Sequence, residues 1–293
     1  MKLRFIILSV LFSCTLTFAQ AWSILNYLSI QQSSLFSGAG QIGAAVPMQD
    51  PVGYYYNPAQ LGYYSLNNNV SIFFMPGNNT VLNNQTLFKT TSNSYGMTFG
   101  YNFKNDSNST PFSIGVGYLH TKILSDLLGF HNSYDCLRVG IGYENYFLYN
   151  LGFSIKPFAS IQGANNASGL EASGVAFDFG ALIIMPIDKL YLNNIKFRIG
   201  NEELKPILSF STGYSISNIG KEVYFEPSTS TQLPRTERLG YNLKLGFNIN
   251  IAGTELPVIE YSFTAEVENV LTDYYNLTYK DPFGDINIFS NLI

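Results

Sequence analysis

His120 and His131 are the chain's only imidazoles, so acid–base or nucleophilic chemistry would have to start from them. His131 stands beside Asn132 and Ser133. Ser, His and Asn can make a hydrolase triad, but a triad is defined by side chains converging in space. These three are sequence neighbours in a stretch, residues 126–134, that reads as a loop. His120 falls at the end of an alternating run, an interfacial position. Glu260, Glu266 and Glu268 recur at even spacing, with Lys244 on the same parity in the preceding run. Paired carboxylates can serve as general acid and base; on one face of a sheet they read as solvated charges. No zinc-ligand spacing, Walker loop or dinucleotide-binding glycine pattern occurs. The expectation is a non-enzymatic protein with no cofactor and no metal.

The elements that carry these groups are strands. From residue 239 the odd positions are Leu239, Tyr241, Leu243, Leu245, Phe247, Ile249 and Ile251, and the even ones include Asn242, Lys244, Asn248 and Asn250. After a turn at Gly253, Ile259, Tyr261, Phe263, Ala265 and Val267 alternate with Glu260, Ser262, Thr264, Glu266 and Glu268. Successive side chains of a strand point to opposite faces, so each run has one apolar and one polar face. Each is about twice the usual strand length of ~5–6 residues and near the ~10 residues that a tilted strand needs to cross a bilayer. Lipid outside and water inside satisfies both faces. Shorter versions of the pattern fall at residues 95–103, 112–118, 137–143, 151–155, 175–185 and 208–216. Residues 70–75 form a short run closed by Pro76-Gly77-Asn78-Asn79, a turn signal. Residues 190–203 alternate poorly and read as a long loop.

Composition agrees. Charged residues are 12% of the chain, about half the usual share. Aromatics are 15%, yet mean hydropathy is only +0.08, because alternation hides apolar character from averages. No stretch after the N-terminal leader approaches the ~18 apolar residues of a membrane helix. The net charge of −4 and the absence of Lys/Arg clusters exclude a nucleic-acid partner.

Residues 1–21 read as a secretory signal peptide: Lys2 and Arg4, an apolar core, then Ala19-Gln20-Ala21. Its removal leaves Cys136 as the single cysteine, so no internal disulfide forms. Residues 22–66 differ from the rest. Pro51, Gly53, Pro58 and Gly62 punctuate too often for a regular element, while Tyr54-Tyr55-Tyr56 is too apolar for a solvated tail. Irregular backbone is tolerated at membrane depth only inside protein or facing water, which predicts a plug in the lumen. The fold expected is therefore all-β: an antiparallel transmembrane β-barrel of the outer-membrane type over residues 67–293, with an N-terminal plug segment. Glycine on the inward face relieves crowding, permits strong coiling, or leaves room for the plug.

Two stretches resemble a known family. Ser37-Gly38-Ala39-Gly40-Gln41-Ile42-Gly43-Ala44-Ala45-Val46, followed by Tyr56-Asn57-Pro58-Ala59-Gln60-Leu61-Gly62, is similar to the N-terminal signature of the PorV/PorQ proteins, within the FadL-like outer-membrane barrels. Ser217-Asn218-Ile219-Gly220 with Leu233-Pro234-Arg235-Thr236-Glu237-Arg238-Leu239-Gly240 resembles a second segment of that family. Gln60 and Gly62 stand where Gly and Ala are usual. The resemblance implies a plugged outer-membrane barrel of about fourteen strands. It implies a role in type IX protein secretion, with exported proteins, other secretion components and outer-membrane lipid as partners, or else a FadL-like channel for hydrophobic small molecules. It also sets the motif Asn57-Pro58-Ala59 in the plug, either near a ligand path or as a turn that seats the plug, since Pro58 fixes φ and biases Asn57 away from helix. The C-terminal residues 281–293 read as a loop and not as a closing strand. Either further strands follow, or strands are hidden in residues 190–201 and after 274.

Overall fold

Alternation prevails over local turn propensity along most of the chain. The computed structural model describes residues 25–30, 33–83, 86–103, 112–125, 129–163, 169–192, 195, 197–199, 202–226, 229–251, 254–273, 278–280 and 282. The leader and residues 283–293 lie outside them. The strands are β1 (Val70–Asn83), β2 (Thr86–Asn102), β3 (Phe112–Ser125), β4 (Phe130–Glu144), β5 (Leu148–Gln162), β6 (Leu170–Pro186), β7 (Phe197–Ile199), β8 (Glu202–Ile219), β9 (Val223–Glu226), β10 (Thr229–Thr231), β11 (Thr236–Ile251), β12 (Thr254–Val270), β13 (Thr272–Asp273) and β14 (Thr278–Tyr279). The protein is all-β. Among the described residues ten strands form one antiparallel sheet in the order β1-β2-β3-β4-β5-β6-β8-β11-β12, with β7 paired to β8. Two small hairpins, β9–β10 and β13–β14, pair separately from it.

Three sequence expectations change. Pro76-Gly77-Asn78-Asn79 is not a turn, because β1 runs through it and pairs Pro76 with Asn93. Among the described residues β1 is an edge strand, where a missing N–H disturbs the ladder least. Residues 190–203 are not a long loop. A short helix (Ile187–Tyr191), β7 and the start of β8 fall there, and the β7–β8 hairpin is too short for alternation to register. His131 is in strand β4, paired with Leu124 and Ile161, and not in a loop.

The burial of the long strands is inverted relative to a water-soluble sheet. On β2, Tyr95, Met97, Phe99 and Tyr101 are exposed, while Ser94 and Thr98 are buried between them. On β4 and β5, Leu137, Val139, Ile141, Leu151 and Phe153 are exposed, while Arg138, Asn150, Ser154 and Lys156 are buried. One face of the sheet is thus a continuous apolar surface, and the other carries glycines and polar side chains, Arg138 and Lys156 among them, with apolar residues toward one end.

Residues 25–68 cover that polar face. They fold as short turns of helix, Asn26–Ser29, Ser34–Gly38, Gly53–Tyr55, Gln60–Tyr64 and Ser65–Asn67, and Pro51 and Pro58 bound the third of them. Irregular backbone needs partners for its carbonyls, and the strands supply them. Thr98 Oγ1 donates to Pro51 O at 3.1 Å, Ser113 Oγ to Gly62 O at 2.9 Å, and Ser211 Oγ to Ala45 O at 2.7 Å. The glycines provide the room. A Cβ on Gly152 would meet the Pro58 backbone, one on Gly180 the Asn57 side chain, and one on Gly213 the Ala44 carbonyl. At one end, Tyr27, Leu28, Tyr55, Leu119, Tyr134, Phe158 and Leu233 pack into an apolar cluster.

Neighbours on the path alternate in direction, so β1 and β12, at its two ends, run the same way. They do not pair with each other among the described residues. The edges are the most exposed apolar parts of the sheet: Ile72 is 85% exposed on β1 and Phe263 62% on β12, against 38% for Val139 in the middle.

The glycine contacts make a specific prediction. Gly152→Ala forces its Cβ against Pro58 and is expected to destabilise the fold by about 1–3 kcal/mol. Gly38→Ala, where nothing lies within 4 Å, is expected to leave the unfolding midpoint unchanged. Denaturant titration of the two variants checks the contrast.

Candidate functional site

Asn57, Pro58 and Ala59 form a turn at the middle of the covered face. Asn57 is fully buried. Its Oδ1 accepts from Ala59 N at 3.0 Å, closing the turn, and its Nδ2 donates to Ala44 O at 2.7 Å and to Ala181 O of β6 at 3.0 Å. One amide therefore ties the turn to itself, to the preceding stretch and to the sheet. Pro58 lies on Gly152, and Ala59 packs with Leu148, Leu182 and Ile184. Gln60 repeats the pattern, donating to Gly43 O at 3.2 Å and Val46 O at 2.6 Å.

Of the polar residues on β11 and β12, Glu266 has the most specific role. Its side chain is 5% exposed, unlike the solvated charge expected from its alternating position. Oε2 accepts from Gly43 N and Ala44 N, each at 2.9 Å, and Oε1 lies 3.0 Å from Arg238 Nη1. Arg238 also donates to Gln41 O at 2.9 Å and to Glu268 at 2.6 Å, and its guanidinium carbon sits 3.7 Å from the centre of the Tyr56 ring. This clasp holds the small-residue stretch 41–45 against β11 and β12. Charge-assisted bonds and a cation–π contact in a desolvated site are each stronger than their surface counterparts. Burial pushes the Tyr56 hydroxyl up to about 12, with Arg238 opposing the shift. Lys244 and Glu260 form a separate pair at 2.9 Å, with side chains 29% and 39% exposed.

A second charged group lies deeper. The register sets Arg138 on β4 opposite Ser154 on β5, and Ser154 opposite Asp178 on β6. Asp178 accepts from Lys156 Nζ at 2.7 Å, from Ser154 Oγ at 3.0 Å and from Asn218 N at 2.9 Å. Asn218 adopts φ 58°, a left-handed conformation that Asn tolerates better than most residues, at the irregularity where β8 leaves β6. Its side chain reaches Ser29 Oγ at 3.2 Å and Pro234 O at 2.9 Å. Arg138 is 1% exposed and donates from Nε to Cys136 Sγ at 3.0 Å. Its guanidinium carbon lies 4.8 Å from the ring centre of Tyr54 and 5.2 Å from that of Tyr55. The two groups of charges thus grip residues 25–68 from two sides.

The histidines do not assemble a catalytic site. His131 and Asn132 point to opposite faces of β4, as neighbours in a strand must. His120 Nδ1 is 2.9 Å from Asp135 Oδ1, Tyr118 OH donates to the same oxygen at 2.6 Å, and the imidazole packs on Tyr95. These groups belong to the face of the sheet opposite residues 25–68. Among the described residues no group of three or more His, Cys, Asp or Glu side chains is arranged to hold a metal ion.

Sequence reasoning singled out neither Arg238 nor the Arg138–Lys156–Asp178–Asn218 group. The signal was present: Arg138, Lys156 and Asp178 all take the parity of the glycines, where a charge has no apolar neighbour to hide behind. Strand register was needed to bring them together.

Burial separates the acidic residues by consequence. Glu266→Gln takes away one of the two carboxylates on Arg238, leaving Glu268, and weakens the acceptor for Gly43 N and Ala44 N; it is expected to cost about 1.5–3 kcal/mol. It should also open residues 25–68 to limited proteolysis. Glu260→Gln breaks a partly solvated pair worth at most about 1 kcal/mol and should leave the digestion pattern unchanged. The Tyr56 shift gives a further test. Its folded value lies above the ordinary value of 10.0, so the neutral phenol contributes stability that is complete below pH 10 and is lost as pH rises through about 12. Tyr56→Phe should flatten that alkaline loss in a pH series of unfolding midpoints. Comparison of the chain with protein-family models, with curated proteins and with solved structures finds no match.

Proposed function

We propose that this chain is an integral β-barrel protein of the cell outer membrane, reached by export behind a cleaved signal peptide, with residues 22–66 as its plug. In this reading it is a non-enzymatic component of type IX protein secretion that binds or shuttles exported proteins at the cell surface, as its resemblance to PorV and PorQ implies. The observation that carries the membrane part is the inverted burial: exposed Ile72, Phe74, Met97, Phe99, Leu151 and Phe153 against buried Arg138, Lys156, Asp178 and Asn150. A contiguous apolar surface over many strands exceeds the few hundred Å² that soluble monomers leave bare, and lipid is the solvent that suits it.

Binding is favoured over conduction by what fills the interior. A FadL-like channel needs an apolar path past the plug. Here the apolar cluster around Tyr55 and Tyr134 occupies one end, and charges clamp the segment in the middle.

The experiment is expression of the mature chain with fractionation, heat-modified gel mobility and a flux assay. A β-rich, heat-modifiable species in outer membranes, bound to exported proteins on cross-linking and silent in liposome flux, is the expected result. Folding in plain buffer without detergent would overturn the membrane reading. Passage of a labelled fatty acid into liposomes would replace the shuttle with the channel.

A further inference from the structure

We propose that a cavity at the sheet end opposite the apolar cluster binds a neutral polyhydroxylated ligand of one or two sugar rings. The cavity has a volume of about 420 Å³, within the usual range for small-molecule sites. It lies where residues 25–68 end, between the last residue of β2, the β4–β5 turn and the helix after β6. Its walls are amides: Gln49, Asn67, Asn68 and Asn102. An amide both donates and accepts, which matches the hydroxyls of a sugar and neither an acyl chain nor a simple ion. Tyr63 and Leu148 also line it and offer an apolar surface for the C–H face of a ring.

Two details sharpen the assignment. Asn102 is held rigidly: its backbone N–H donates to Asn68 Oδ1 at 2.6 Å and its Nδ2 to Leu66 O at 2.7 Å. At the rim Lys189 Nζ and Glu144 Oε1 are 3.5 Å apart, so the charges offset one another and the site favours a neutral ligand. This inference does not depend on the secretion reading.

The test uses the whole mature chain in lauryl dimethylamine oxide, a detergent with no sugar headgroup, and saturation-transfer difference NMR. The probes are maltose and N-acetylglucosamine, with octanoate and inorganic phosphate for comparison. Saturable transfer to at least one sugar, weakened about ten-fold by Asn102→Leu, is the expected result. Asn67→Ala, at an exposed position, gives a second reading if Asn102→Leu fails to fold, and should weaken binding at least about three-fold. No transfer to either sugar, unchanged affinity in the folded variants, or displacement of the sugar by octanoate or phosphate would overturn the proposal.

Discussion

The covered face of this sheet cannot fill its own interior. Where a soluble sheet turns Leu, Val and Phe inward along its whole length, the long strands here keep such residues toward their ends and turn Gly, Ser, Thr, Asn and a few charges inward between them. Interiors pack densely, so a face this shallow needs a second body of chain pressed onto it, and residues 25–68 are that body. The need is mutual. The segment has too little regular structure to satisfy its own carbonyls, and it takes donors from Thr98, Ser113 and Ser211. Neither half is a finished structure without the other.

Charge adds what shape alone does not. Buried ion pairs are poor sources of net stability, since desolvation offsets most of their attraction, but an incomplete one is strongly unfavourable. The Glu266 carboxylate takes two backbone N–H groups from the segment, and the Arg138 guanidinium, whose Nη atoms make no hydrogen bond among the described residues, lies against two of its tyrosine rings. Displacing residues 25–68 would take two N–H donors from Glu266, leaving it Arg238 alone, and would strip two tyrosine rings from Arg138. The segment's place is thereby specified by the penalty for leaving it, more than by the attraction of staying.

The strands were legible because a period of two sustained over ten or more residues suits a two-faced strand and neither a helix nor a loop. The pattern of β11 and β12 named the faces as well. What alternation could not supply was register. Arg138, Ser154 and Asp178 become one row only when β4, β5 and β6 are aligned, and nothing local in any one strand encodes that. Pro76-Gly77 misled because edge position, a tertiary property, decides whether a proline breaks a strand. Asn57-Pro58-Ala59 was readable as a turn from backbone chemistry, but its three tethers were not, since Ala44 and Ala181 contribute only backbone carbonyls. Glu266 was readable as polar and inward, and its burial depended on where Gly43 and Ala44 come to rest.

The Glu266 clasp joins residues 223 positions apart in the chain. Closing a connection that long is entropically slow, and the clasp cannot form until β12 has been added to the sheet. A stretch made early is therefore secured by a residue made 223 positions later. Assembly acquires an internal check from this: a sheet that stalls before β12 keeps stretch 41–45 unfastened, and a protease or chaperone that reads loose chain can tell the unfinished molecule from the finished one.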